Sequence, residues 1–133
     1  MPSLTVEAAG QLASAIAAEY GSFECDRCAK AIAKRLGWRF NAQFERLRTA
    51  DNSDVIGHLK RGIQVSANRV HVGIRIGERV FDNVNHEGVL ADEWSKAFVT
   101  ATDAPLIRES RPISEFFAKV FLVKKFERWL FGP

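Results

Sequence analysis

The stretch Arg69-Val-His-Val-Gly-Ile-Arg-Ile-Gly-Glu-Arg-Val-Phe-Asp-Asn83 decides the fold, because it reads as a β-hairpin that lays a carboxylate beside a histidine. Glycine at the first central position suits a two-residue II′ turn, so the turn falls on Gly77-Glu78 and pairs Ile76 with Arg79. Counting back, Gly73 faces Asp82 and His71 faces Val84. Side chains alternate along a strand, which puts His71, Gly73, Arg75, Val80, Asp82 and Val84 on one face and Val72, Ile74, Ile76 and Phe81 on the other. Asp82 is then the diagonal neighbour of His71, within reach of an aromatic side chain, and Gly73 leaves room for the contact. Asn83 points to the apolar face.

Upstream, Leu4, Ala8, Leu12 and Ile16 mark a first helix from about Leu4 to Tyr20, stopped by Gly21. Ser22 is positioned to cap a second helix whose apolar face runs Cys25, Cys28/Ala29, Ile32/Ala33 and Leu36 until Gly37 ends it. Trp38, Phe40, Ala42 and Phe44 alternate with Arg39, Asn41, Gln43 and Glu45, the pattern of a half-buried strand. A polar turn follows at Thr49 to Asp54, and Val55 to Ser66, broken by Gly57 and Gly62, reads as a loop or short strand. Downstream of the hairpin come a turn at Asn85-His-Glu-Gly88 and a short helix from Leu90 to Phe98 carrying Trp94. An edge strand at Leu106 to Arg111 lies between Pro105 and Pro112. A last helix, capped by Ser114, shows the apolar stripe Phe116, Phe117, Val120 and Phe121, with Lys119, Lys124, Lys125 and Arg128 largely elsewhere. Helices at both ends with strands between them predict an α+β fold, with the N-terminal helices packed on a small antiparallel sheet and an extra C-terminal helix from about 111 to 131.

The 133 residues are one domain's worth, and 47% hydrophobic composition with ten Phe and three Trp is ample for a single core. A net charge of +3 and a pI near 9.1 fall well short of a dense nucleic-acid-binding surface. There is no run of eighteen apolar residues and no basic start with an apolar stretch, so neither a transmembrane segment nor a Sec signal peptide is expected. The two cysteines, in Cys25-Asp-Arg-Cys28, sit one helical turn apart and would close only a tiny loop. Reduced thiols working in a cytoplasm are expected, which need not be that of the cell that made the protein.

A thiol is a useful nucleophile only as thiolate, and a helix N-terminus lowers its pKa through the dipole and free N–H groups. Cys25 lies at such a place. A histidine would take up and return its proton and a third group would fix the imidazole tautomer, roles open to His71 and Asp82. Other readings of the same residues stand beside this one. Both cysteines fit as small apolar core residues. A thioredoxin-like redox site would want a strand, not a helix, before Cys-x-x-Cys. Zinc, with His71 and either His58 or His86, would lack a second closely spaced ligand pair, and no metal or cofactor is expected. His58 and His86 fit solvent-facing loops, and Asp82-Asn83 also fits the start of a turn. The aromatic stripe of the last helix fits core better than a membrane anchor, its lysines leaving a membrane-surface or partner-binding role open.

Taken in order, Phe23-x-Cys25-x-x-Cys28-Ala29, His71-x-Gly73-Ile74, Val80-Phe81-Asp82-Asn83, Gly88 and Trp94 resemble the papain-fold toxin domains of bacterial polymorphic toxin systems, in particular the second papain-fold toxin family. The resemblance covers about residues 20 to 98 and leaves the C-terminus from Arg111 outside it. It implies a compact papain-like cysteine-enzyme fold with a Cys, His and Asp/Asn triad, deployed against competitor cells after delivery into a target-cell cytoplasm and neutralised by a cognate immunity protein. Residue by residue, the nucleophile falls on Cys25, the histidine on His71 and the orienting residue on Asp82, with Asn83 adjacent. Cys28 is the rival nucleophile, since in papain-type proteases the catalytic cysteine is the second of a similar pair. The glutamine that such enzymes carry six residues earlier is missing: Glu19 stands six before Cys25 and Ser22 six before Cys28, which leaves backbone N–H groups at the helix start as oxyanion donors. The implied activity is peptide or amide hydrolysis or deamidation of a target-cell protein. A ribonuclease toxin using His71 with Arg69 or Arg75, and a non-catalytic binding module, are the alternatives.

Overall fold

The fold was obtained as a computed structural model and is described over residues 4–50, 55–58, 63–64, 70–117 and 129. Helix α1 (Val6–Ala17) starts at Thr5, whose hydroxyl accepts a hydrogen bond from Ala8 N at 3.0 Å. It buries Ala9, Ala13 and Ala17, small residues one turn apart that let the helix approach its neighbours closely. Helix α2 (Cys25–Leu36) buries Cys25, Cys28, Ala29, Ile32 and Ala33, and Gly37, at φ +87°, ends it. Ser22 is not its cap. Glu24 holds that position, and its side chain turns back to Gly21 N at 3.0 Å instead of capping the helix.

Five strands form the main antiparallel sheet in the order β6-β5-β4-β1-β8: β1 (Gln43–Arg48), β4 (Val70–Ile76), β5 (Arg79–Phe81), β6 (Val89–Leu90) and β8 (Ile107–Pro112). The α+β class is as the sequence predicts. The hairpin pairs Ile76 with Arg79, Arg75 with Val80 and Ile74 with Phe81. Gly77 takes φ +59° while Glu78 stays at negative φ, as a II′ turn requires. Strand β1 begins five residues later than the alternation of Trp38 to Glu45 predicts. After Gly37 the chain makes a turn closed by Phe40 N to Gly37 O at 3.2 Å, and pairing starts only where β4 and β8 flank it.

Three shorter strands, β2 (Ile56–His58), β3 (Ile63–Gln64) and β7 (Phe98–Thr100), make a second sheet in the order β3-β2-β7. Thus part of Val55 to Ser66 is paired strand. The helix predicted to reach Phe98 is only the single turn α3 (Ala91–Trp94) and a 3₁₀ turn (Ser95–Ala97), because Phe98 enters β7 opposite His58. The edge strand predicted before Pro112 is β8, seated beside β1. Its continuation differs from the helix expected from Ser114. Ile113–Phe117 is a 3₁₀ turn fixed one residue earlier by Ile113 N bonding Ala42 O at 3.0 Å. The rest of that predicted helix, 118–128 with Val120 and Phe121, lies outside the described residues. Trp129 packs on the helix-side core between the guanidinium groups of Arg46 and Arg111, 4.6 and 4.8 Å from its ring centroid, and its carbonyl accepts from Arg46.

The main sheet therefore has two different faces. On one, Phe44, Val72, Ile74, Ile76 and Phe81 meet the alanines and isoleucine of α1 and α2. On the other, Leu47, Val80 and Val84 meet Ile56, Ala91, Trp94 and Phe98. The second face is the one that carries His71.

Candidate functional site

His71, in the middle strand β4, is fully buried, and so is Asp82 just beyond β5. Their side chains meet with His71 Nε2 2.9 Å from Asp82 Oδ2. This is the diagonal contact that the hairpin register predicts. The glycine between them has a more specific use than open space: a Cβ on Gly73 would lie 2.7 Å from Val80 Cγ1, 3.0 Å from Phe81 O and 3.3 Å from Trp94 Cζ2. Glycine is what lets the indole of Trp94 settle against the strand. From there Trp94 Nε1 donates to Asp82 Oδ2 at 2.7 Å.

Asp82 is saturated with donors. Oδ1 accepts from Val84 N at 2.9 Å and Asn85 N at 2.6 Å, while Oδ2 also accepts from Asn85 Nδ2 at 3.2 Å. The first two bonds, to N–H groups two and three residues on, make the turn that Asp82-Asn83 could start, so the residue closes a turn and holds a histidine at once. Burial pushes the carboxyl pKa up, but the bonds and charge of His71 and the bonds from Trp94 and Asn85 outweigh it and bring the value down to about 2. For His71, burial pulls the pKa down, yet the bond to Asp82, the contact with Cys25 and the charges of both raise it to about 9. Aromatic rings enclose the imidazole: Phe98 lies 4.5 Å and Trp94 5.8 Å away between centroids.

Cys25 is the first residue of α2 and is 4% exposed. Its thiol is close enough to act on the His71 pKa, but its Sγ lies 4.0 Å from the Val70 carbonyl, and His71 Nδ1 has no partner among the described residues. The imidazole is thus tied by Nε2, which leaves Nδ1 as the ring nitrogen without a hydrogen bond among the described residues. Cys28, one turn further on, is fully buried in the helix-side core. Burial, with the charges of Asp82, Cys25 and Glu24, pushes its thiol up to about 12.

Asn83, two residues beyond the end of β5, turns its side chain to another partner. Its Nδ2 donates to Gly21 O at 2.8 Å and so ties the end of the hairpin to the loop that enters α2. In that loop Phe23 holds φ +67° and is half exposed. The other two histidines differ from each other. His58 is not in a solvent-facing loop: β2 buries it with its ring 5.3 Å from that of Phe98. His86 does lie in a turn, with Nε2 2.7 Å from Asn83 O. Arg75 Nε bonds Gly77 O at 3.0 Å at the hairpin end, and Arg69 is outside the described residues.

The sequence model of the papain fold toxin 2 family matches residues 8–99. The chain belongs to that family. The match takes in α1 as well as the motifs from Phe23 to Trp94, and it stops before β8. No curated protein and no solved structure matches the chain. As a member of the family the protein is a toxin domain of papain-like fold. Among the described residues no helix is long and apolar enough to cross a membrane.

Sequence reasoning misses Trp94 and Phe98 as ring neighbours of the histidine and the burial of Glu45. For Trp94 there was a signal: a glycine at the pairing position of a catalytic-looking strand implies that something large stands over it.

Proposed function

We propose that this papain-fold toxin domain is a cysteine-dependent acyl-transfer enzyme, hydrolysing or deamidating amide bonds of a protein in the target cell. The observation that carries the reading is the tethered imidazole. Asp82 fixes Nε2–H, so the other nitrogen, Nδ1, is the one free to take the Cys25 proton. The resulting thiolate attacks the carbonyl carbon, and the tetrahedral intermediate collapses as the C–N bond breaks and the imidazolium protonates the leaving amine. Water, deprotonated by His71, then cleaves the thioester and restores the thiol. Asp82, saturated with donors, stays ionised throughout and supports the imidazolium. The oxyanion falls to backbone N–H groups of the first turn of α2, which the Glu24 side chain leaves uncapped.

The high pKa of the Cys28 thiol argues for Cys25 as nucleophile. A cognate immunity protein would bind over or beside the Cys25 loop. Expression of the Cys25→Ala variant should give no growth arrest while its circular dichroism matches that of the parent. Arrest by a folded Cys25→Ala protein would remove the nucleophile from the scheme.

A further inference from the structure

Behind Trp94 lies a second buried polar cluster that the catalytic scheme does not use. Glu45, in β1, is 0% exposed and stands opposite Gly73 on β4 and Ser110 on β8. Its Oε2 accepts from Ser110 Oγ and, at 3.3 Å, from Arg108 Nε. A buried carboxylate on the face of His71 is costly unless it is paired, so it is there with a cation by construction. Arg108 does more than neutralise it. Its other arm, Nη1, donates to Ala91 O at 2.6 Å, and its guanidinium lies 5.5 Å from the centre of the Trp94 ring.

These contacts converge on α3, a helix of four residues, too short to hold itself. Its first residue is pinned twice: Ala91 N donates to Glu78 O at 2.7 Å, and Ala91 O accepts from Arg108. Trp94 at the other end of the turn is what donates to Asp82. The planar fork of arginine serves carboxylate, carbonyl and ring together, which lysine cannot do.

We infer that Arg108 is a positioning residue for the Cys25, His71 and Asp82 site: seated on Glu45, it fixes α3 so that the Trp94 indole holds the Asp82 carboxylate on His71. The inference rests on the proposed cysteine chemistry. It also assigns a role in the site to β8, which lies beyond the family match.

The test is the pH dependence of iodoacetamide alkylation at Cys25, read by mass spectrometry in the full chain. Arg108→Lys keeps a cation for Glu45 and so the fold, but gives up the fork. It should move the alkylation midpoint up by about half to one pH unit, since the imidazolium that supports the thiolate loses part of its own support. Trp94→Phe, which keeps an aromatic ring without the N–H, should move it the same way. The double variant should sit where Trp94→Phe alone sits, because the two act in series. An unmoved midpoint in folded Arg108→Lys, or additive shifts in the double variant, would overturn the inference and leave the cysteine chemistry intact. A parent protein whose Cys25 alkylates like an ordinary free thiol would instead overturn the proposed function, and with it this inference.

Discussion

The two faces of β4 are made from alternate residues of one heptapeptide, Val70–Ile76, and do opposite jobs. Val72, Ile74 and Ile76 face α1 and α2 and pack in an apolar cluster with the small residues Ala9, Ala13, Ala17, Ala29 and Ala33, while Arg46, opposite Val72, is the charged group at its border, paired with Glu109. His71 and Gly73 face the other way, where Glu45, Asp82, Trp94 and Arg108 are tied by hydrogen bonds across three strands and a helical turn. The first face draws its stability from area removed from water and shape fit, which have no direction. The second keeps buried polar side chains, each held by at least one directed hydrogen bond. One strand can carry both because the pleat separates them. The polar face thus sets where the side chains of the site point and the apolar face supplies most of the burial, so the two should respond to different mutations.

The largest effect should come from the apolar face. Ile74 is fully buried between the sheet and the helices, and Ile74→Ala removes three carbons from a packed site. A loss of about 2–5 kcal/mol in urea unfolding is expected. If the faces are independent, the Cys25 alkylation midpoint of the folded fraction will not move. A shift comparable to that of Arg108→Lys would break the separation drawn here.

Next comes the polar face, through Asp82→Asn. The native His71 pKa of about 9 lies above its ordinary 6.5, so the pair contributes stability that is complete below pH 6.5 and is lost as pH rises through 9. Asp82, brought down to about 2 from 3.8, contributes stability that is present above pH 3.8 and is lost as pH falls through 2. Between 6.5 and 9 the parent should therefore lose about 2–3 kcal/mol of unfolding free energy. In Asp82→Asn the carboxylate is gone, burial dominates, and the His71 pKa should fall below 6.5. The stability curve then flattens across that window. Ring-nitrogen NMR of His71 reads the same change directly, and a variant imidazole still protonated at pH 8 would show that Cys25, not Asp82, holds the charge.

Much of this was legible in the residues before the fold was known, and what was not has a physical reason. The hairpin register follows from a period of two and a glycine turn, both local, and it alone places Asp82 and not Asn83 beside His71. Helix α2 follows from the spacing of Cys25, Cys28, Ile32 and Leu36. The alternation from Trp38 places β1 too early, since the strand's interior, Gln43-Phe-Glu-Arg-Leu-Arg48, contains Glu45 and Arg46, both buried. Charges in a strand look like solvent-facing positions until the partners are seen. Those partners are Arg108, Ser110 and Glu109, some sixty residues away along the chain, and no local pattern announces a pairing at that separation. The second sheet was hidden for a related reason: strands of two or three residues, such as Ile56–His58 and Phe98–Thr100, are too short to show a period.

The smallest effect should distinguish the two cysteines, which reproduce the contrast of the faces within one helical turn. Cys25 opens α2 beside the imidazole, whereas Cys28 sits in the apolar cluster with Ala29 and Ile32 and has its thiol pushed up to about 12. At any pH the domain meets, Cys28 is a neutral thiol that fills space. Cys28→Ala removes one sulfur from a packed site and should cost about 1 kcal/mol of stability. Alkylation at Cys25 and growth arrest on expression should both persist. If instead a folded Cys28→Ala protein lost its toxicity while Cys25→Ala kept it, the nucleophile would belong to the second position of the pair. The imidazole beside Cys25 would then serve structure alone, and the polar face would no longer differ in purpose from the apolar one.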